Sequence, residues 1–171
     1  PSRAVAEAAS TVLDRPARVV GLPGEVHMEH FVGRRHFKVP ESAFMFLAPV
    51  DAAQLQAEHS ALAAVQAFKA HFARRPEYDA TLVLRLRGDW SSQAIAAIRG
   101  EVVGCRHPVV VLASSLSENE EVNLLRCADV VVSLHEWVPF GQELAQAMFL
   151  GKPVIATARG GNLDFMSPRN S

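Results

Sequence analysis

Two short stretches near the end of the 171-residue chain carry residue types that could hold an anion. The first is His135-Glu136-Trp137-Val138-Pro139-Phe140-Gly141-Gln142, which leads into an Ala-rich segment with helical spacing. A helix start presents unpaired amides and a partial positive charge, and both attract phosphate. Gly141 would let a ligand approach the backbone closely. The second is Thr157-Ala158-Arg159-Gly160-Gly161-Asn162, whose adjacent glycines read as a flexible rim or a second anion nest. Pro49–Gln54 could face the same crevice. Arg85, Arg87 and Arg159 could reach a phosphate, and each also reads as a solvated surface arginine. Trp137 could stack on a base or a sugar, or cap the end of a sheet. For all these loops the competing reading is an ordinary helix–strand connection.

Other chemistries find less support. His27-x-x-His30 with His36 could be drawn as a metal site, but no acidic or cysteine partner is fixed nearby; Glu25 and Glu29 lie in an irregular stretch. Cys105 and Cys127 cannot form a disulfide framework or a four-cysteine zinc site, and read as small buried apolar residues. There is no Gly-x-Ser-x-Gly elbow and no phosphate-binding P-loop. Lys+Arg 17 against Asp+Glu 18 leaves a net charge of −1, which argues against nucleic-acid binding through bulk charge. No apolar run approaches the roughly 20 residues that span a bilayer. Pro1-Ser2-Arg3 does not open a signal peptide, so the expected compartment is the cytosol, with peripheral membrane attachment of the parent as the alternative.

The elements that must position these loops alternate in type. Short apolar, β-branched runs are expected as strands at Ala17–Leu22, Ala43–Ala48, Thr81–Leu86, Val109–Ala113, Val130–Leu134 and Val154–Ala156. They are nearly all apolar rather than alternating, the pattern of strands buried on both faces of a parallel sheet. Between them, helices are expected at Arg3–Leu13, Leu55–Phe72, Ser91–Val102, Glu118–Cys127 and Gly141–Leu150. Ser117 and Glu120 form a capping box, and Gly151 with Pro153 stops the last helix. Gly21–Lys38 reads as a surface excursion. Repeated β-α units predict an α/β fold: an open, doubly wound, Rossmann-like parallel sheet with helices on both faces. In such a sheet, ligands bind at the carboxyl ends of the strands.

The run VVVSLHEWVPFGQELAQAMFLGKPVIATARGGNLDFM, residues 130–166, adds a resemblance. Phe140-Gly141, Ala147-Met148, Gly151–Thr157 and Gly160–Met166 fall in one register. They resemble the signature of the C-terminal, donor-binding domain of the retaining, nucleotide-sugar-dependent glycosyltransferases of family 4, or group 1, which have two Rossmann-like domains (GT-B architecture). Pro1-Ser2-Arg3, Ala67-Phe68-Lys69, Leu82-Val83-Leu84 and Ala128-Asp129-Val130 extend the likeness thinly over nearly the whole chain. The resemblance implies a linker helix over residues 1–16 leading from an N-terminal acceptor domain. Residues 17–171 would then be the donor domain, incomplete at its C-terminal end. It also implies hexosyl transfer to a glycan or lipid acceptor without a bound metal or other cofactor. This chain alone would then show no transfer, because the reaction would need the acceptor domain.

Family members carry two glutamates flanking Phe-Gly, one on the transferred sugar and one on the ribose; here those positions are Val138 and Gln146. Gln146 could still hydrogen-bond a ribose hydroxyl, whereas the Val138 side chain can hydrogen-bond nothing. A family Arg-Lys pair that neutralises the diphosphate corresponds by register to Glu58 and His59. A carboxylate there repels what the family attracts. The expected donor site therefore comprises Phe140, Gly141 and Gln142 at the helix start, Gln146, Val138, Gly160 and Gly161, Glu58 and His59, Arg87, and His135, which reads first as a hydrogen-bonding shaper of the loop. No catalytic residue is assigned. The competing reading is a degenerate, non-catalytic module.

Overall fold

The computed structural model describes residues 2–20 and 26–171. Five strands, β1 (Phe44–Asp51), β2 (Ala80–Arg87), β3 (Val109–Leu112), β4 (Val130–Ser133) and β5 (Val154–Ala156), form one sheet in the order β3-β2-β1-β4-β5. Every pairing is parallel, with Phe46 opposite both Leu82 and Val130. The helices are α1 (Arg3–Leu13), α2 (Ala57–Phe72), α3 (Ser92–Val102), α4 (Glu118–Cys127) and α5 (Gln142–Phe149).

The apolar runs become strands for the expected reason: both faces are covered. On one face Ala61, Val65 and Phe68 of α2 and Ile98 of α3 pack on Leu82, Leu84 and Leu86. On the other, Leu124 and Leu125 of α4 and Leu144 and Ala147 of α5 pack on Met45, Leu47, Val83 and Val131. Ser117 and Glu120 make the capping box at α4. Gly151, at φ 70°, turns the chain out of α5 as Lys152 N–H donates to Ala147 O.

Three expectations change. Ala17–Val20 is exposed coil and joins no strand of the sheet; Pro16 and Arg18 break the apolar run, and Leu22 lies outside the described residues, as do 21–25 of the Gly21–Lys38 stretch and Glu25. The Rossmann-like sheet thus begins at Phe44 rather than near residue 17. The described part of Gly21–Lys38 is more than a surface excursion: Phe37 is buried in the α4-side core and Val32 packs against it. Two amides on one face of α4 clamp it there. Asn119 Oδ1 accepts from the Glu29 and His30 amides, and Asn123 Oδ1 from the Val32 amide. Cys105 and Cys127 are only partly buried, and burial pushes both thiols up.

Candidate functional site

The order β3-β2-β1-β4-β5 reverses direction between β1 and β4. The chain leaves β1 toward α2 and β4 toward α5, on opposite faces, so the two connections part there; at such a switch point an open α/β sheet offers its ligand crevice outside the carboxyl ends of the strands. α2 and α5 both begin beside it, at Ala57 and Gln142, each entered through a residue of positive φ, Gln56 and Gly141. Neither start carries a side-chain cap, so amides of both first turns lack an intrahelical acceptor. Ser60 Oγ donates to Leu134 O at 3.0 Å, tying the first turn of α2 to the end of β4.

The two C-terminal loops are brought together as one unit. Val138 forms a parallel bridge with Gly160, and Gly161 N–H donates to Val138 O at 2.8 Å. A Cβ on Gly160 would lie 2.5 Å from Val138 O, and one on Gly161 2.0 Å from Pro139 O. The glycines are needed because one backbone lies directly on another. This corrects the reading of a flexible rim or anion nest: the Gly161 amide is already used.

His135 locks the same unit from beneath. It is buried; Ser133 Oγ–H donates to Nδ1 at 2.9 Å, and Nε2–H donates to Arg159 O at 3.0 Å. A carbonyl can only accept, so Nε2 carries the proton. Desolvation holds the ring pKa below its usual value, opposed by the bond to Arg159 and by Asn162. Both nitrogens are therefore engaged within the protein. Asn162, which sequence reasoning left out of the site, is 1% exposed, and its Nδ2 donates to Thr157 O. Its Cβ lies against the Cβ position of Gly141, so it backs the start of α5. Ser2, also unexpected, caps α1 and donates to Pro139 O, while Arg3 N–H donates to Asp164.

Other expected residues are placed differently. Val138 is 4% exposed, with its side chain directed toward Gly141 rather than into the crevice. Arg85 is neither a surface arginine nor a phosphate partner. It is buried, pairs with Glu121, and donates to the Leu86, Leu112 and Ser114 carbonyls. Arg87, at the end of β2, is paired with Glu143 in the first turn of α5 and is not free for a phosphate in this state. That pair occupies part of the helix start on which anion binding was expected. Glu58, His59 and Gln142 are exposed; Gln146, Phe140 and Trp137 are partly buried, and Phe140 packs on Phe165 at 5.2 Å. Arg159 is exposed, 3.9 Å from Glu136. His30 and His36 approach Asn119 and Glu120, and no metal-binding group of three or more ligands occurs among the described residues. No helix among them is long and apolar enough to cross a membrane.

No protein-family profile matches the chain, and no curated protein matches it. Solved structures do. The C-terminal domain of the glycosyl transferase group 1 family protein LpcC from Francisella tularensis matches with a TM-score of 0.60 at 15% identity, over 86% of this chain and 75% of that one. HepE from Anabaena, in complex with UDP-glucose, matches at 0.54 and 21% identity, over 78% of this chain and 35% of HepE. An α,α-trehalose-phosphate synthase (UDP-forming) from Burkholderia vietnamiensis matches at 0.53 and 12% identity, over 71% and 30%. The chain therefore spans about a third of the length of the latter two. With its all-parallel sheet and these neighbours, the chain has the fold of the C-terminal domain of GT-B glycosyltransferases.

Proposed function

We infer that the chain is the donor-binding domain of a retaining glycosyltransferase that takes a hexosyl unit from a nucleoside-diphosphate sugar. The observation that carries this reading is the pairing of two uncapped helix starts, α2 and α5, on either side of the β1–β4 reversal. The UDP-glucose complex of HepE, which shares the fold, supports the same ligand class. In this reading the α5 amides hold the diphosphate, Gln146 meets the ribose, and the 157–161 loop faces the sugar, held in shape by His135. The acceptor, a glycan or lipid, would be bound by a separate N-terminal domain across the cleft, with residues 1–16 as the link. No metal or other cofactor is assigned to the transfer, which would take place in the cytosol during glycan biosynthesis.

Calorimetric titration with UDP, GDP and ADP tests the binding. Submillimolar affinity for one of them is expected, and no heat with any of the three refutes it. The chain alone is expected to show no transfer from a radiolabelled nucleotide sugar, because the acceptor side of the cleft is not supplied by this domain.

One arrangement favours a second reading, a glycosyltransferase-like module without catalysis. The Glu143 carboxylate stands in the first turn of α5, held by Arg87, while Val138 replaces a polar contact with a buried methyl-bearing side chain. Under that reading the chain binds a partner, or a nucleotide only weakly, and freeing Arg87 does not bring the affinity into the submillimolar range.

A further inference from the structure

Among the described residues the sheet ends at β3, and the register shows which of its backbone groups have no partner there. Leu82 N–H donates to Pro108 O at 3.1 Å, and Arg85 Nη1–H reaches Leu112 O at 3.2 Å and Ser114 O at 3.0 Å, all on the β2 side. Backbone groups alternate sides along a strand, so those of Val109, Val111 and Ala113 point away from the sheet. A groove of about 450 Å³ runs along this edge, between the turn carrying His36 and Lys38 and the α3 residue Arg99.

Among the described residues its unpaired charge is positive. Lys38 and Arg99 are exposed and join no ion pair among the described residues. The carboxylate lining the groove, Glu120, is already engaged by the Ser117 amide and by His36 at 2.7 Å, which hold its pKa at about 2. Edge strands are commonly blunted by a lysine, a proline or a charged side chain on the strand itself. Residues 109–115, Val-Val-Val-Leu-Ala-Ser-Ser, contain none.

We propose that this edge is a docking strip for an extended, acidic segment of a partner protein, which adds to the sheet beyond β3. Main-chain hydrogen bonds to Val109, Val111 and Ala113 supply the pairing, and Lys38 and Arg99 select carboxylates. A second copy of this chain is the poorer occupant, because edge-to-edge pairing would set Lys38 and Arg99 against the same cations of the other copy.

The test uses a fluorescein-labelled, end-blocked octapeptide of alternating valine and glutamate, with fluorescence anisotropy read against the chain. Saturable binding is expected. It should weaken at least tenfold in the Lys38→Glu, Arg99→Glu double variant and disappear in Val111→Pro, which removes an outward-facing donor but no ladder bond. Should circular dichroism show Val111→Pro to be unfolded, Ala113→Pro does the same at the strand end. Lack of saturable binding, or unchanged binding in a folded proline variant, overturns the proposal. So does full displacement by inorganic phosphate at concentrations that leave ionic strength unchanged, which would mark a simple anion site. A concentration-dependent dimer in sedimentation that Val111→Pro abolishes would overturn it in favour of self-pairing.

Discussion

Arg87 at the carboxyl end of β2 and Glu143 in the first turn of α5 form an ion pair that spans the rim of the sheet across β1 and β4. A cation placed for a diphosphate at that rim is thereby held by a carboxylate on the helix start that, under the proposed function, would receive the anion. An incoming diphosphate must displace Glu143 from Arg87 or bind beside a negative charge.

Glu143→Gln should therefore tighten UDP binding, by about threefold to tenfold for a partly exposed pair of this kind. Arg87→Gln should weaken it by a similar factor. Calorimetry on the three proteins reads both. Equal affinities throughout would mean that the pair lies outside the binding path.

The glycines make a graded series. Gly161→Ala places a methyl group 2.0 Å from Pro139 O, backbone that has no free end to yield, and should cost about 3 kcal/mol or more in urea unfolding. Gly160→Ala adds the penalty of φ 104° to a contact of 2.5 Å and should cost as much. Gly151→Ala meets open space and has only its φ of 70° to overcome, about 1 kcal/mol. If all three lose the same stability, the loop-on-loop packing is not what demands the pair.

Acid should loosen the 135–161 unit. Because burial holds the His135 pKa below its ordinary 6.5, the unfolded chain takes up a proton there that the folded chain does not. The stability due to His135 is fully present above about pH 6.5 and declines as pH falls from there toward the folded pKa. The limiting slope is about 1.4 kcal/mol per pH unit. The stability gap between the natural chain and His135→Gln should shrink between pH 7 and pH 5 in chemical denaturation. A gap constant with pH would show that the ring titrates normally.

Placing at 138 the glutamate carried by the family that the sequence resembles should harm rather than help. Val138→Glu puts a carboxyl group at a position 4% exposed, packed toward Gly141, and should destabilise by on the order of 3 kcal/mol. Gln146→Glu, on a partly buried stretch of α5, should stay within about 1 kcal/mol. Thermal melts of the two single variants separate them, and a stable Val138→Glu with raised nucleotide affinity would mean the loop can turn that side chain into the crevice.

The parallel sheet was legible because Phe44–Val50, Leu82–Leu84 and Val130–Val132 are apolar on successive residues, the pattern of strands in a sheet covered on both faces. Helix limits were legible where caps are local, as at Ser117, Glu120 and Gly151. Ala17–Val20 carries the same apolar signal but no partner strand, and an apolar run does not disclose what will pair with it. In the candidate site, Gly160 and Gly161 announced a special backbone but not its cause. Asn119 and Asn123, four residues apart on one helix face, were the available sign of a polar clamp; what they clamp lies some 90 residues away in sequence.

Composition, apolar periodicity and local caps thus determined the fold class, the order of elements and the loops that meet at the sheet's carboxyl rim, because those signals act between near neighbours in the chain. Only the tertiary structure decided the partners of the charges and the direction of the side chains. Arg85 turned inward to Glu121, Arg87 crossed to Glu143, and Val138 faced the protein instead of the crevice. Each outcome depends on which distant group arrives within a few ångströms, and Coulombic attraction and desolvation have no expression in sequence spacing until the chain has closed.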